Sequence, residues 1–334
     1  MQNPLFPTDA AEAPPLVEAA AADPAFRELA ASLPAKLRFG TSSWHYPGWT
    51  GLVWKRDYPR EALSRHGLAA YARHPLLRTV GVDRTFYRPL SAAQFAGMAA
   101  QVPEDFRFVV KAPNRVTDAL LRDEGGRGRQ ANPDFLSAEC ALRDFVEPAL
   151  AGLGAKLGAL VFQFSPLPSR WLAETGELVD RLHAMLAALP DVRGIAPDGV
   201  LAVEVRDPQW LTPRFTQALK EGGATYCMGL HAKMPPIAEQ LPILRALWPG
   251  PLVCRWNFNP RHGAFGYEEA RRLYLPYNRL VDEDLDTRNA LARVIAGTVG
   301  AGQNAFVTLS NKSEGCAPLS VAALARAVCE LRAK

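Results

Sequence analysis

The chain has 334 residues, of which 48% are hydrophobic and 22% are charged, so it is long enough for one large barrel or two modest domains. This composition excludes a disordered protein. Its 38 lysines and arginines against 34 aspartates and glutamates give a formal net charge of +4, which is too small to indicate nucleic acid binding by itself.

The cysteine pattern and the amino terminus predict a protein of the cytoplasm. Five cysteines are an odd number, and the closest two, Cys316 and Cys329, lie 13 residues apart. This spacing favours neither a disulfide framework nor a thiolate zinc site. The opening stretch lacks the basic and apolar regions of a targeting peptide, and no run approaches 18 apolar residues, so no membrane span is expected.

The order of predicted elements indicates a (β/α)8 barrel. Residues 1–34 form an Ala/Pro-rich extension with a short helix at 24–33, and residues 35–334 alternate short apolar runs with longer segments of helical period. The predicted strands are 37–41, 78–83, 107–112, 159–164, 201–206, 224–229, 252–256 and 305–310. Eight strands with connections long enough for crossover helices favour a single TIM barrel over an open sheet.

The longest connections follow Lys111, Trp210 and Trp256. The largest of them is an insertion of about residues 257–286 after the seventh strand. Active sites of barrel enzymes lie in the loops after strands, so these segments are candidate walls of a site. For the insertion, the alternative interpretation is a solvated helical segment without a role in the site.

Ionisable side chains are predicted to point into the barrel. Because side chains alternate along a strand, each strand has one face toward the helices and one toward the barrel interior. The inward positions near the carboxyl ends of the strands, where a barrel has its active site, are Asp83, Lys111, Gln163, Glu204, Arg206 and Arg255. Ala202 and Val109 suit the packed layers below.

The charges at these positions favour an anionic or strongly polar ligand. Two carboxylates against three cations leave one positive charge, and arginine matches carboxylate and phosphate oxygens. The structural alternative is a self-satisfied network of ion pairs that closes the barrel mouth, because buried charges must be paired in any case.

Aromatic residues cluster in the loop after the first strand. The sequence GTSSWHYPGW, residues 40–49, places Trp44, Tyr46 and Trp49 between glycine and proline, and Tyr87 follows the second strand. Such rings either wall a ligand pocket or form a lid over the barrel. His45 is a candidate general acid or base if it faces the pocket.

Several sharper chemistries have no motif in the chain. There is no phosphate-binding GxxxxGK[ST] loop and no GxGxxG between a strand and a helix, so no nucleotide cofactor is predicted. The chain also lacks HExxH and the nucleophile elbow GxSxG. A site for a divalent metal held by carboxylates is compatible with the sequence, although no motif indicates one.

Six blocks of sequence, taken together and in order, resemble those of the YecE-like family, also called domain of unknown function 72. The blocks are GTSSWHYPGW, RTFYRPLS, FRFVVKAPNRVT, LGALVFQFSPLP, LAVEVRDPQW and LSNKSEG. The resemblance implies a (β/α)8 barrel and a pocket location, including Asn311 of the last block, but no reaction. The chain departs from the family pattern at Gly81 and Asp83, where a glutamate and an asparagine are usual, and at Lys312, where a second asparagine is usual.

Three functions are compatible with these patterns. The leading hypothesis is an enzyme, a hydrolase, lyase or isomerase, that acts on a polar, anionic or carbohydrate-like small molecule. Its catalytic residues are predicted to be Glu204 as general acid or base, with Lys111 and Asp83. Its substrate-binding residues are predicted to be Trp44, His45, Tyr87, Gln163, Arg206, Arg255 and Asn311. The alternatives are nucleic acid binding or metal-dependent phosphodiester cleavage, and noncatalytic ligand binding.

Overall fold

A computed structural model of the chain describes residues 17–122 and 128–332. Its strands are β1 (Leu37–Thr41), β2 (Thr79–Val82), β3 (Arg107–Lys111), β4 (Leu120–Arg122), β5 (Gly128–Ala131), β6 (Leu157–Gln163), β7 (Val200–Glu204), β8 (Ala224–Leu230), β9 (Leu252–Trp256) and β10 (Ala305–Leu309).

The central sheet is a closed barrel of eight parallel strands in the order β1-β10-β9-β8-β7-β6-β3-β2. This confirms the predicted TIM barrel, and each predicted strand corresponds to one strand of the barrel. The boundaries differ by one or two residues at most, as at β6, which begins at Leu157 rather than at residue 159. The antiparallel hairpin of β4 and β5, in the long connection after Lys111, was not predicted from the sequence.

Helices surround the barrel and fill the connections between its strands. They are α1 (Pro24–Ser32), α2 (Arg60–His66), α3 (Leu68–Tyr71), α4 (Ala92–Ala99), α5 (Asn114–Thr117), α6 (Ala138–Ala141), α7 (Glu147–Leu153), α8 (Ser169–Leu172), α9 (Thr175–Ala187), α10 (Pro213–Glu221), α11 (Ile237–Ala246), α12 (Tyr267–Tyr274), α13 (Leu285–Gly300), α14 (Asn311–Glu314) and α15 (Ala317–Arg332).

The barrel interior is a separate apolar layer beneath the carboxyl ends of the strands. It consists of Val109, Ala159, Val161, Ala202, Cys227, Val253 and Phe306, all buried. On β3, β6, β7 and β9 these residues lie two or four positions before the inward polar residues of the same strand, as the alternation of side chains predicts. The layer therefore makes a solid base on which the polar residues of the barrel mouth rest.

Charged residues close the opposite end of the barrel. Asp198 accepts hydrogen bonds from Arg38 at 3.0 Å and from Arg107 at 2.8 Å, and Asn304 donates to the same carboxylate. Arg38 also lies over the ring of Phe306. This floor network uses the amino-terminal ends of β1 and β3, so it is separated from the mouth by the apolar layer.

The predicted amino-terminal extension and the insertion after the seventh strand both contact the barrel domain where they are described. Residues 1–16 of the predicted extension lie outside the described residues, while α1 packs against α15. The insertion at 257–286 contains α12, and the backbone N–H of Asn259 donates to the carbonyl of Lys312 at 2.9 Å. The insertion is thus joined to the loop after β10. Across 17–122 and 128–332, no helix has the length and apolarity that a bilayer crossing requires.

Candidate functional site

A cavity of about 480 Å³ opens at the carboxyl ends of the barrel strands. This is the end at which TIM barrels hold their active sites, and the volume is that of a small-molecule pocket. Five of the six polar residues predicted to point inward line it: Asp83, Lys111, Gln163, Arg206 and Arg255. Trp44, His45 and Tyr87, which were predicted from the loops, line it as well.

Arg255 is the centre of an ion-pair network that spans the mouth. From β9 its Nη1 donates to Glu204 Oε2 at 2.6 Å, and its Nη2 lies 2.7 Å from both oxygens of Asp83. Asn257 adds a weaker hydrogen bond to Glu204 at 3.3 Å. The guanidinium therefore fixes the carboxyl ends of β2, β7 and β9 relative to one another.

Glu204 is fully buried beneath the cavity and does not line it. Burial raises the pKa of this carboxyl, but Arg206 and Arg255 outweigh burial and hold the pKa below its ordinary value of 4.5. At neutral pH the group is therefore an ionised acceptor between two guanidinium groups. Such a carboxylate has no proton to donate as a general acid, and as a general base it is poorly placed because both its oxygens contact arginines and it does not line the cavity.

A glycine on β8 makes room for this carboxylate. A Cβ atom at Gly229 would lie 2.9 Å from Glu204 Oε1 and 3.2 Å from Arg206 Nη1. Both distances are shorter than an ordinary van der Waals contact, so a side chain at this position would displace the ion pair. Gly229 is needed here for space rather than for its backbone conformation.

Arg206 lies at the base of the cavity and is paired with Glu204. Its Nη1 lies 2.7 Å from Glu204 Oε1, which makes an ion pair, but the nitrogen has no hydrogen-bond partner of acceptable geometry in the described part of the chain. The side chain is 10% exposed and lines the cavity. Because Nη1 is buried against Glu204, the ion pair engages this nitrogen, and the charge of the guanidinium as a whole is what Arg206 contributes to the cavity.

Lys111 is the last residue of β3 and extends into the cavity beside an aromatic ring. Its Nζ lies 3.5 Å from the centre of the Phe86 ring. Burial is the main reason that the pKa of Lys111 is lowered to about 8, and Arg255 adds to it, while Asp83 acts in the opposite direction. The amine is therefore much closer to neutrality than an ordinary lysine.

The loop at residues 40–49 supplies one wall and part of its support. Trp44, His45 and Tyr46 line the cavity, whereas Trp49 is completely buried behind them. The indole N–H of Trp44 donates to the carbonyl of Leu63 at 3.1 Å, which fixes the ring. The loop thus serves as a pocket wall, and its last tryptophan belongs to the core.

His45 is neutral in this setting. Its Nδ1 lies 2.8 Å from Ser43 Oγ and its Nε2 lies 3.2 Å from Arg60 Nη2. Because a guanidinium donates only, Nε2 accepts and the ring proton is on Nδ1. Burial, Arg60 and Arg84 together lower the pKa of His45 to about 4. An imidazole with its Nε2 lone pair engaged has little capacity for acid or base catalysis at neutral pH.

Several cavity residues were not predicted from the sequence because they lie outside the barrel strands. They are Arg60, His231, Asn257, Tyr267, Ser310 and Lys312. Lys312 Nζ lies 4.2 Å from the ring centre of Tyr267. The only signal for this lysine was its departure from the usual family pattern. Arg84, which also lines the cavity, lies over the Trp44 ring at 5.7 Å.

The remaining two predicted residues have very different surroundings. Tyr87 is 81% exposed at the rim of the cavity. Asn311 is 1% exposed and does not line the cavity, because its Oδ1 accepts from Trp49 Nε1 at 3.2 Å and from the backbone N–H of Ala317 at 2.8 Å. Asn311 therefore joins the aromatic loop to the start of α15.

The carboxylates of the site are engaged by arginine. In residues 17–122 and 128–332, no group of three or more His, Cys, Asp and Glu side chains is arranged to hold a metal ion. Asp83 and Glu204 both contact Arg255, whose positive charge would oppose a cation at the same oxygens. The arrangement suits an anion better than a metal.

The fold and the site define a TIM-barrel protein with a cation-rich cavity at the carboxyl ends of its strands. The chain belongs to the family described as protein of unknown function DUF72, whose model matches residues 38–334. This confirms the resemblance seen in the six sequence blocks.

Solved structures of the same family have the same fold. The chain is similar to a DUF72 family protein from Enterococcus faecalis, with 20% identity, a TM-score of 0.55, and coverage of 87% of this chain and 95% of that one. It is also similar to a DUF72 family protein from Thermotoga maritima, with 20% identity, a TM-score of 0.51, and coverage of 89% and 99%. No curated protein matches the chain. At this identity the likeness establishes the fold, and the family description names no reaction.

Proposed function

We propose that the protein binds a small anionic compound, with carboxylate or phosphate groups, in the cavity at the barrel mouth. The observation that carries the proposal is an excess of positive charge. The cationic residues of the lining are Arg60, Arg84, Lys111, Arg206, Arg255 and Lys312, and Asp83 is its one carboxylate among the described residues.

The buried charges of the network do not remove this excess. Glu204 compensates Arg206 and Arg255 from below, and Asp83 compensates Arg255 from the side. His45 contributes no charge at neutral pH, and neither does His231, because burial, helped by Arg206, lowers the pKa of His231 to about 4 as well. Arg84, Lys111 and Lys312 remain without a carboxylate within 4 Å in the described residues, so an anion would relieve their mutual repulsion.

The ion-pair network has a positioning role in this proposal. Glu204 holds Arg206 and Arg255 at the base of the cavity, where both side chains form part of its lining. In this proposal the ion pairs are a structural network that also positions the cations of a ligand site, so the two alternatives considered from the sequence do not exclude each other. Trp44 and Tyr46 give the apolar wall against which the body of the ligand packs.

Binding of phosphate and citrate tests the proposal. We expect both to raise the melting temperature and to titrate calorimetrically, whereas sodium chloride of equal ionic strength has a smaller effect. Lys312→Met should weaken binding about 10-fold or more, because a hydrogen bond to a charged group contributes roughly 1.5–3 kcal/mol. Lys220→Met, on the exposed surface of α10, is the control and should bind as the wild type does.

Two outcomes would overturn the proposal. One is that neither anion stabilises the protein beyond the effect of chloride. The other is that Lys312→Met and Lys220→Met bind phosphate equally well. Binding of a single-stranded oligonucleotide in the absence of binding to either small anion would favour the nucleic acid alternative, and it would count against a small-molecule cavity.

A further inference from the structure

Lys111 differs from the arginines beside it. Arg206 and Arg255 both contact Glu204, whereas no carboxylate lies within 4 Å of Lys111 Nζ in residues 17–122 and 128–332. The amine instead lies against the face of Phe86, at 3.5 Å from the ring centre. Among the described residues it is thus the one lysine that combines a position on a barrel strand with access to the cavity, since Lys312 lies in α14.

The charged groups that act on this amine are all at the barrel mouth. They are Asp83, Glu204, Arg206 and Arg255. With its pKa lowered to about 8, chiefly by burial, about one amine in ten is neutral at pH 7. An ordinary lysine has only about one neutral amine in 3,000 at that pH. A nucleophilic lysine needs this neutral form, and enzymes obtain it through burial and neighbouring cations.

We propose that Lys111 is a nucleophile that forms a Schiff base with the carbonyl carbon of an anionic aldehyde or ketone. The inference rests on the proposed function, since the cations of the cavity hold the anionic group of the same molecule. It narrows the ligand to a 2-oxo acid or a phosphorylated carbonyl compound.

The bond changes balance without a further reactant. The nitrogen lone pair of Lys111 attacks the carbonyl carbon, so a C–N bond forms and the C=O π electrons move to oxygen. The carbinolamine then loses the oxygen as water, which takes up both amine protons, and a C=N bond replaces the C=O bond. The proton that the Lys111 ammonium released to solvent before the attack returns to the imine nitrogen and gives the iminium, so that ammonium and carbonyl become iminium and water. The anionic group of the substrate offsets that positive charge in a cavity that is already cationic.

Reductive trapping tests the inference. The protein is incubated separately with glyoxylate and pyruvate in the presence of sodium cyanoborohydride, which reduces the iminium to a stable amine, and the product is mapped by peptide mass spectrometry. We expect the adduct on Lys111 in preference to the other lysines. Lys111→Arg keeps the charge but removes the nucleophile, so it should lose this adduct. Lys220→Arg should label as the wild type does.

The pH dependence adds a second readout. Labelling of Lys111 should rise with an apparent midpoint near pH 8, as its lowered pKa requires, whereas labelling of exposed lysines should continue to rise toward pH 10.5. Saturating phosphate should protect Lys111, because it occupies the cations that would hold the anionic group.

The outcomes separate this inference from the proposed function. If phosphate and citrate bind to wild type and to Lys111→Arg, but the adduct is absent or lies on Lys312, the Schiff-base role is overturned and anion binding stands. If no anion binds and labelling is spread over exposed lysines, both are overturned. An adduct on Lys111 that phosphate prevents supports both.

Discussion

Replacement of Glu204 by glutamine tests whether this residue holds the barrel mouth together. The change keeps the shape of the side chain and removes one negative charge from a fully buried position. Arg255 Nη1 and Arg206 Nη1, at 2.6 and 2.7 Å from the carboxylate, would then face a neutral amide. Both guanidinium groups stay charged, so in the variant Asp83 is the only carboxylate left to compensate Arg206 and Arg255 within the network.

The expected loss of stability is large because the broken pair is buried. Removal of one partner of a buried ion pair costs about 3–5 kcal/mol. For a chain of 334 residues that corresponds to a decrease of roughly 4–7 °C in melting temperature. Because the folded-state pKa of Glu204 is below 4.5, its stabilisation is complete above that pH and is lost as the pH falls further. The difference between wild type and Glu204→Gln should therefore narrow below pH 4.5.

Urea unfolding of both proteins at pH 7 and at pH 4 measures these differences. Glu104→Gln is the matched control, since Glu104 forms an ion pair with Lys156 at 3.0 Å but is 90% exposed. An exposed pair contributes less than about 1 kcal/mol, so the control should be nearly neutral. If Glu204→Gln unfolds with a free energy within about 1 kcal/mol of wild type, the positioning role assigned to this carboxylate is refuted.

Asn311→Ala should destabilise the protein without a change in phosphate affinity, because it leaves the N–H groups of Trp49 and Ala317 buried without an acceptor at roughly 1–3 kcal/mol each. Weaker phosphate binding in a stably folded variant would instead support the ligand role predicted from the sequence. The imidazole of His45 should titrate by NMR with a midpoint near pH 4, and Arg60→Met should raise that midpoint. The folded-state pKa of His45 is depressed, so folding opposes protonation of this imidazole. His45 therefore does not oppose folding above pH 6.5, and the free energy of unfolding decreases as the pH falls from 6.5 toward 4. A midpoint near 6.5 would contradict the buried, neutral state.

The barrel and its inward charges could be predicted because both depend on a period of two. In β7 the apolar Val203 and the charged Glu204 alternate, and the same rule placed Lys111 and Arg255 inside the barrel. The rule reports direction only. It does not reveal that Glu204 is fully buried between its two arginine partners and stays out of the cavity lining, or that Gly229 of the neighbouring strand leaves room for it.

Loop residues of the site were harder to predict. Arg60 begins α2 and Lys312 lies in the short α14. No periodic pattern in the sequence indicates that either side chain points toward the cavity. As a result the sequence indicated a single excess positive charge, whereas the folded cavity has more. The β4–β5 hairpin was missed for a similar reason, because its two strands of three and four residues are too short to show alternation.

The apolar layer inside the barrel has a consequence for how the chain tolerates change. It separates the Arg255 network at the mouth from the Asp198 network at the floor. Arg107 of the floor and Lys111 of the mouth are four positions apart on β3, which corresponds to about 13 Å along the strand. At such a separation, energetic effects at the two ends are independent and add. Substitutions among the charges of the mouth are therefore expected to leave the stabilising contribution of the floor network unchanged.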